Sequence, residues 1–255
     1  MDIRRGHPIP PAMKPPDDPK LLVGPACLMF FVDETGHETF ADDRYPVFGI
    51  GGCAILSSVA DMEINEPWRQ MKAKQFGGPD VPLHAAELRT PTVAQLSALA
   101  AFFNDRTFAR FAVTMSATTK IPDGSAPYDI AAGLLRNRFQ DLLSRLSPVA
   151  QEVAFLHESS ARCDKLVERH FGGNVVQIEG RLVPVHKGLV HKSVGLPALE
   201  VADFIMHAAG RRALHLHRDA RAAVQKDFAA VFHSNPVWTS YIHATDVEPP
   251  KEAAA

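Results

Sequence analysis

Cysteine is scarce in this chain. Cys27, Cys53 and Cys163 are the only three, and no two of them form a CxxC pair. An odd, dispersed set excludes a disulfide framework and a zinc ribbon, and leads us to expect reduced, buried thiols in a cytoplasmic protein. Neither sign of charge dominates: 27 Lys and Arg stand against 29 Asp and Glu, a formal net charge of −2. That balance argues against indiscriminate coating of DNA, while leaving room for a local basic face. Long apolar runs are missing too. The longest, Leu21 to Val32, is interrupted by Gly24 and Pro25 and is too short to span a membrane. The opening stretch MDIRRGHPIPPAMKPPDDPK is polar and lacks the apolar core of a secretory signal.

Several catalytic signatures are also missing. There is no HExxH, and no H-x-E with a downstream PCxxC, which sets aside zinc protease and deaminase chemistry. Neither GxxxxGK[ST] nor GxSxG occurs, and GIGG at 49–52 lacks the GxGxxG frame. Ser159 and Ser160 follow His157, but neighbouring residues on a strand point to opposite faces, so they make a poor nucleophile–base pair.

What remains is an ordinary globular composition, 46% hydrophobic and 22% charged over 255 residues, without internal repeats. Pro8, Pro10, Pro11, Pro15, Pro16 and Pro19 predict an extended, disordered arm over 1–24. The EPPKEAAA end predicts a disordered tail over 246–255. Between them, 25–245 reads as a single mixed α/β domain. Continuous apolar runs predict strands at 26–34 and 46–57, joined as an antiparallel pair. Gly49, Gly51 and Gly52 predict a bulge or a close backbone approach in the second. Further strands are expected at 107–119 and 152–159, with a strand or hairpin at 175–188. Helices are expected at 59–76, 90–106, 128–146, 161–171, 196–217 and 219–233, with a short helical piece at 84–90.

Four carboxylates stand out by position. Asp33 follows LMFFV and Glu158 follows VAFL, each at the C-terminal end of a strand expected to be buried. If those strands are neighbours, both acids meet at the sheet edge where α/β proteins bind ligands. Asp203 lies within LPALEVADFIMHAAG, where an ionised side chain is costly unless paired or bound to a cation. Glu200 lies one turn earlier as a supporting candidate, and Glu87 in HAAEL has His84 three residues before it. Oxygen ligands of this kind suit one or two Mg²⁺ or Mn²⁺ ions, and a two-metal site can cleave a phosphodiester. A basic stretch follows Asp203. It holds Arg211, Arg212, Arg218, Arg221 and Lys226, and Lys187 and Lys192 precede the same helix. A phosphate backbone could run along it toward the acids. His84 or His191 is a candidate to move a proton or orient phosphate.

These segments resemble the DUF3800 family. FVDETG is similar to its D-E-S-G opening, with Thr35 where serine is usual. HAAEL is similar to its H-x-x-E-L segment. LPALEVADFIMHAAGR is similar to its C-terminal LQLADFIA helix, with Glu200 where glutamine is common. The matches fall in order over residues 28 to about 212. The resemblance implies an RNase H-like α/β fold, a central mixed five-stranded sheet flanked by helices. It further implies a metal-dependent nuclease acting on DNA or RNA. Asp33 would be its first acid, Glu87 its second, Glu158 its third, in place of the more usual Asp, and Asp203 its last. Glu34 would be a further ligand or a loop anchor. The rival expectation is a non-catalytic nucleic-acid-binding or assembly module of a mobile-element or defence system.

Overall fold

The computed structural model describes residues 22–146, 149–160, 164–171, 173, 175–191, 194–218, 230–233 and 238–245. The proline-rich arm as far as residue 21, the tail from 246, Cys163, Lys192 and most of the helix expected at 219–233 lie outside the described residues.

The described residues form one seven-stranded mixed sheet with helices on both faces. Its strands are β1 (Cys27–Gly36), β2 (Val47–Leu56), β3 (Ala109–Ser116), β4 (Glu152–Glu158), β5 (Val175–Ile178), β6 (Arg181–Val190) and β7 (Thr239–His243). The order across the sheet is β5-β6-β4-β1-β2-β3-β7. Strands β1, β2 and β3 form an antiparallel meander. Strand β4 runs parallel to β1, and β6 parallel to β4. The expected count of five strands is therefore too low, for two reasons. The segment at 175–188 folds back as a hairpin, turning at Glu179 and Gly180 with φ of 47° and 80°. A seventh strand, TSYIH, joins parallel to the outer side of β3. Its short, half-polar run carries little hydrophobic signal of its own.

Six helices are present among the described residues. The first begins as α1 (Ser57–Ala60), passes through a π-helical stretch (Asp61–Asn65) and continues as α2 (Glu66–Gln75), with Pro67 in the first turn of that last part. The others are α3 (Val93–Asp105), α4 (Pro127–Arg145), α5 (Asp164–Phe171), α6 (Pro197–His217) and α7 (Ala230–His233). Thr92 caps α3 in a full capping box with Gln95. The piece expected at 84–90 shortens to a single 3-10 turn, Ala85–Glu87.

Strand alternation sorts the core into two layers. Phe31, Cys53, Ile55 and Leu156 face α6, Trp68, Phe102 and Phe103. Phe30, Val32, Ile50 and Phe111 face α4 and α5, where Phe30, Phe111, Phe139, Phe155 and Phe171 form a continuous ring cluster. Helix α6 is buried along most of its length and lies across β1, β2 and β3. It comes this close because small residues meet there. Gly52 has φ +149°, and a Cβ on it would stand 2.0 Å from the Phe31 carbonyl oxygen and 3.1 Å from the Ala202 Cβ. The glycine run in β2 thus marks the close approach expected of it. Cys27 and Cys53 are buried free thiols, and burial pushes the Cys27 thiol up to about 12.

Candidate functional site

The sheet brings the first two acids level. Strands β1 and β4 are parallel and in register through Val32 opposite His157. One residue further on, Asp33 stands beside Glu158, and both side chains fall on the face covered by α6. Helix α6 then sets Asp203 over this edge. Asp33 is pushed up to about 7, first by its burial and then by the charge of Asp203; the Glu34 backbone N–H donates to it and His157 opposes the rise. Two carboxylates held this near to each other in a half-buried place carry a charge that a cation would relieve.

Asp203 is anchored as well as placed. Its Oδ2 accepts a 2.7 Å hydrogen bond from the Ala85 backbone N–H, and the His84 Nδ1 lies 3.8 Å from the same oxygen. Asp203, Glu158, His84 and His191 line one small cavity of about 20 Å³, room for a single water or ion. Glu200 also borders it but serves another purpose. The Trp68 indole N–H donates to it at 2.6 Å, the Lys72 ammonium at 2.7 and 2.9 Å, and the Leu83 N–H at 3.2 Å. Lys72 and Glu200 are both buried. Together, Glu200 and Asp203 tie the 83–85 segment, and so His84, to α6. Pattern reading missed this clamp. The one available signal was Lys72, one helical turn after Trp68, on a face otherwise apolar.

Other expected residues fall elsewhere. Glu87 is exposed at the end of the 3-10 turn, while His84 precedes that turn in extended backbone, so the two do not stack on one helical face. Glu34 points to the opposite face of the sheet from Asp33, where its Oε1 lies 3.3 Å from the His157 Nε2 in a nearly dry pair. Both placements follow from local backbone: a turn too short to be an α-helix, and the two-residue period of a strand. Lys187 is on that far face as well, held by Glu168 at 2.8 Å. Arg211 is exposed on α6 near Tyr45, whose phenol is raised by burial and partly lowered by its Thr35 hydrogen bond and by Arg211. Arg212 stacks 4.5 Å over the Tyr241 ring.

Among the described residues no three His, Cys, Asp or Glu side chains are gathered closely enough to hold a metal ion. The arrangement is instead a pair, Asp33 with Asp203, and a cavity beside it. Such a pair does fit Mg²⁺, which commonly takes one or two carboxylates and completes its shell with water and phosphate oxygens. No helix among the described residues is long and apolar enough to cross a membrane. No protein-family model matches this chain, and no curated protein matches it.

Proposed function

We propose that this protein is a divalent-metal-dependent phosphodiesterase of RNase H-like fold, acting on nucleic acid as the resemblance to the DUF3800 family implies. The observation that carries the reading is the meeting of Asp33, at the end of the central strand, with Asp203 of α6, near enough for their charges to interact. The succession β3-β2-β1-β4-β6, antiparallel and then parallel, supports the RNase H-like reading, with β5 and β7 as additions at the two edges.

In this reading Asp33 and Asp203 hold one Mg²⁺ or Mn²⁺ ion. When bound, the ion supplies Lewis-acid stabilisation to the oxygens of a phosphodiester. The chain's own groups do the rest. The Ala85 N–H occupies Asp203 Oδ2 and leaves Oδ1 for the ligand. Glu158 lines the adjoining cavity and is the carboxylate to orient a water there. His84, close to Asp203 and bordering that cavity, is the group to move a proton or hold a phosphate oxygen. Glu87 has no part in this minimal set. Arg211, on the same helix two turns beyond Asp203, offers a phosphate contact; Lys187, turned to the far face, does not.

The rival reading, a non-catalytic binding or assembly module, draws on the lack of three gathered ligands among the described residues. Cleavage separates the two. Purified protein is incubated with labelled DNA, RNA and hybrid substrates and Mn²⁺, beside Asp33→Asn and Asp203→Asn. Cleavage by wild type that both substitutions abolish is expected. Cleavage that survives both, or none by wild type on any substrate, overturns the proposal.

A further inference from the structure

A second polar cleft lies on the opposite face of the sheet, between α4 and the edge strand β7. Its floor is Phe111 of β3 beside Ser240, which the parallel register β3–β7 turns to the same face, and Trp238, which packs against the same core layer as Phe111. Its wall is Arg138, Asp141 and Arg145 of α4. Arg138 and Arg145 are seven residues apart, two helical turns, so both project along one stripe over the floor. Asp141 accepts from Arg138 at 3.1 Å. Arg145 has no ion-pair or hydrogen-bond partner among the described residues. The cleft measures about 250 Å³. That is slightly below the span of sites for drug-sized ligands, and suits one nucleotide better than a duplex.

An aromatic face, two guanidiniums and a hydroxyl on converging walls form a recognisable combination. Arginines bind phosphate with several donors at once, and a Trp face stacks on any nucleobase. Phe111 and Leu142 keep the stacking surface apolar. We propose that this cleft binds a single nucleotide unit, with its base on Trp238 and its phosphate on Arg145 and Arg138. The unit is either a free nucleotide or one residue of a single strand. This site stands apart from the carboxylate pair and does not depend on its chemistry.

The test uses the two tryptophans of the chain. Trp68 is fully buried, so a ligand-dependent emission change reports Trp238. Full-length protein at low salt is titrated with a nucleoside monophosphate, a single-stranded oligonucleotide and inorganic phosphate. Saturable quenching by the monophosphate or the oligonucleotide is expected. Quenching by the oligonucleotide alone identifies a strand as the source, and quenching by both admits the free nucleotide. The Arg138→Gln/Arg145→Gln pair, at exposed helix positions, weakens binding by about tenfold or more. Ser240→Glu, which adds a negative charge to the floor, weakens it too. Trp238→Phe removes the signal, and Asp203→Asn leaves it unchanged. The proposal is overturned if neither nucleotide ligand gives a saturable change. It is equally overturned if inorganic phosphate alone reproduces the quenching, if the change survives the double Arg substitution, or if Asp203→Asn abolishes it.

Discussion

Asp33→Asn is expected to stabilise the protein at alkaline pH even as it removes a proposed ligand. The carboxyl is pushed from an ordinary 3.8 up to about 7 in the folded chain. Between those values the folded state holds the proton that the unfolded state has released. Stability therefore falls as pH rises through that window, and the loss is complete above about 7. Each tenfold change in proton affinity is worth about 1.36 kcal/mol, so the whole effect is about 4 kcal/mol, of which roughly 3 falls between about pH 5 and pH 8. Asparagine has no charge to bury and does not titrate. Near pH 5 it replaces a carboxyl that is itself neutral; its amide oxygen still accepts from the Glu34 N–H, and the exchange costs about 1 kcal/mol or less in altered hydrogen bonding. The variant should thus be slightly weaker than wild type near pH 5 and stronger near pH 8. Urea unfolding followed by circular dichroism, without divalent ions, measures this. With m near 3 kcal/mol/M, the difference between the two midpoints should move by about 1 M over that range. A difference that does not change with pH, or that moves against the variant as pH rises, refutes the reasoning.

Three further outcomes follow from the fold. Lys72→Met should cost about 3–5 kcal/mol, because it leaves the Glu200 carboxylate buried against only two donors; the double variant with Glu200→Gln should recover part of this, and additivity of the two would contradict a direct pair. Gly52→Ala should cost about 3 kcal/mol or more in urea unfolding, since its Cβ meets the Phe31 carbonyl of the central strand; a loss under about 1 kcal/mol would mean that β1 and β2 separate easily. Thr92→Ala should remove about 1 kcal/mol by uncapping α3, and an unchanged midpoint would show that the cap adds nothing.

Much of this fold was legible in the order of residues. The apolar run before Asp33 and the glycines at 49–52 read correctly as a buried strand and a close approach, because each depends on local composition. Helix α6 was legible from its apolar breadth and Pro197 at its start. Strand β7 was not, because TSYIH becomes a strand only by pairing with β3, a partner about 130 residues away in the chain. The site divides in the same way. Asp33, Glu158 and Asp203 could be picked out as acids ending or interrupting apolar elements, and the fold sets them near one edge. Glu87 looked equivalent because HAAEL suggested a helix, but the segment has only one 3-10 turn and its carboxylate is exposed. Glu200 looked like a spare ligand. Its actual partners, Trp68 and Lys72, arrive from another helix, and no spacing within α6 could reveal them.

The central claim is that Asp33 and Asp203 act as one cation-binding pair. Titration calorimetry with Mn²⁺ near neutral pH tests it without requiring a substrate. Wild type and Glu87→Gln should bind with similar affinity, while Asp33→Asn and Asp203→Asn should each weaken binding at least tenfold. Absence of binding by wild type, or binding that persists in both Asp variants, would contradict the account.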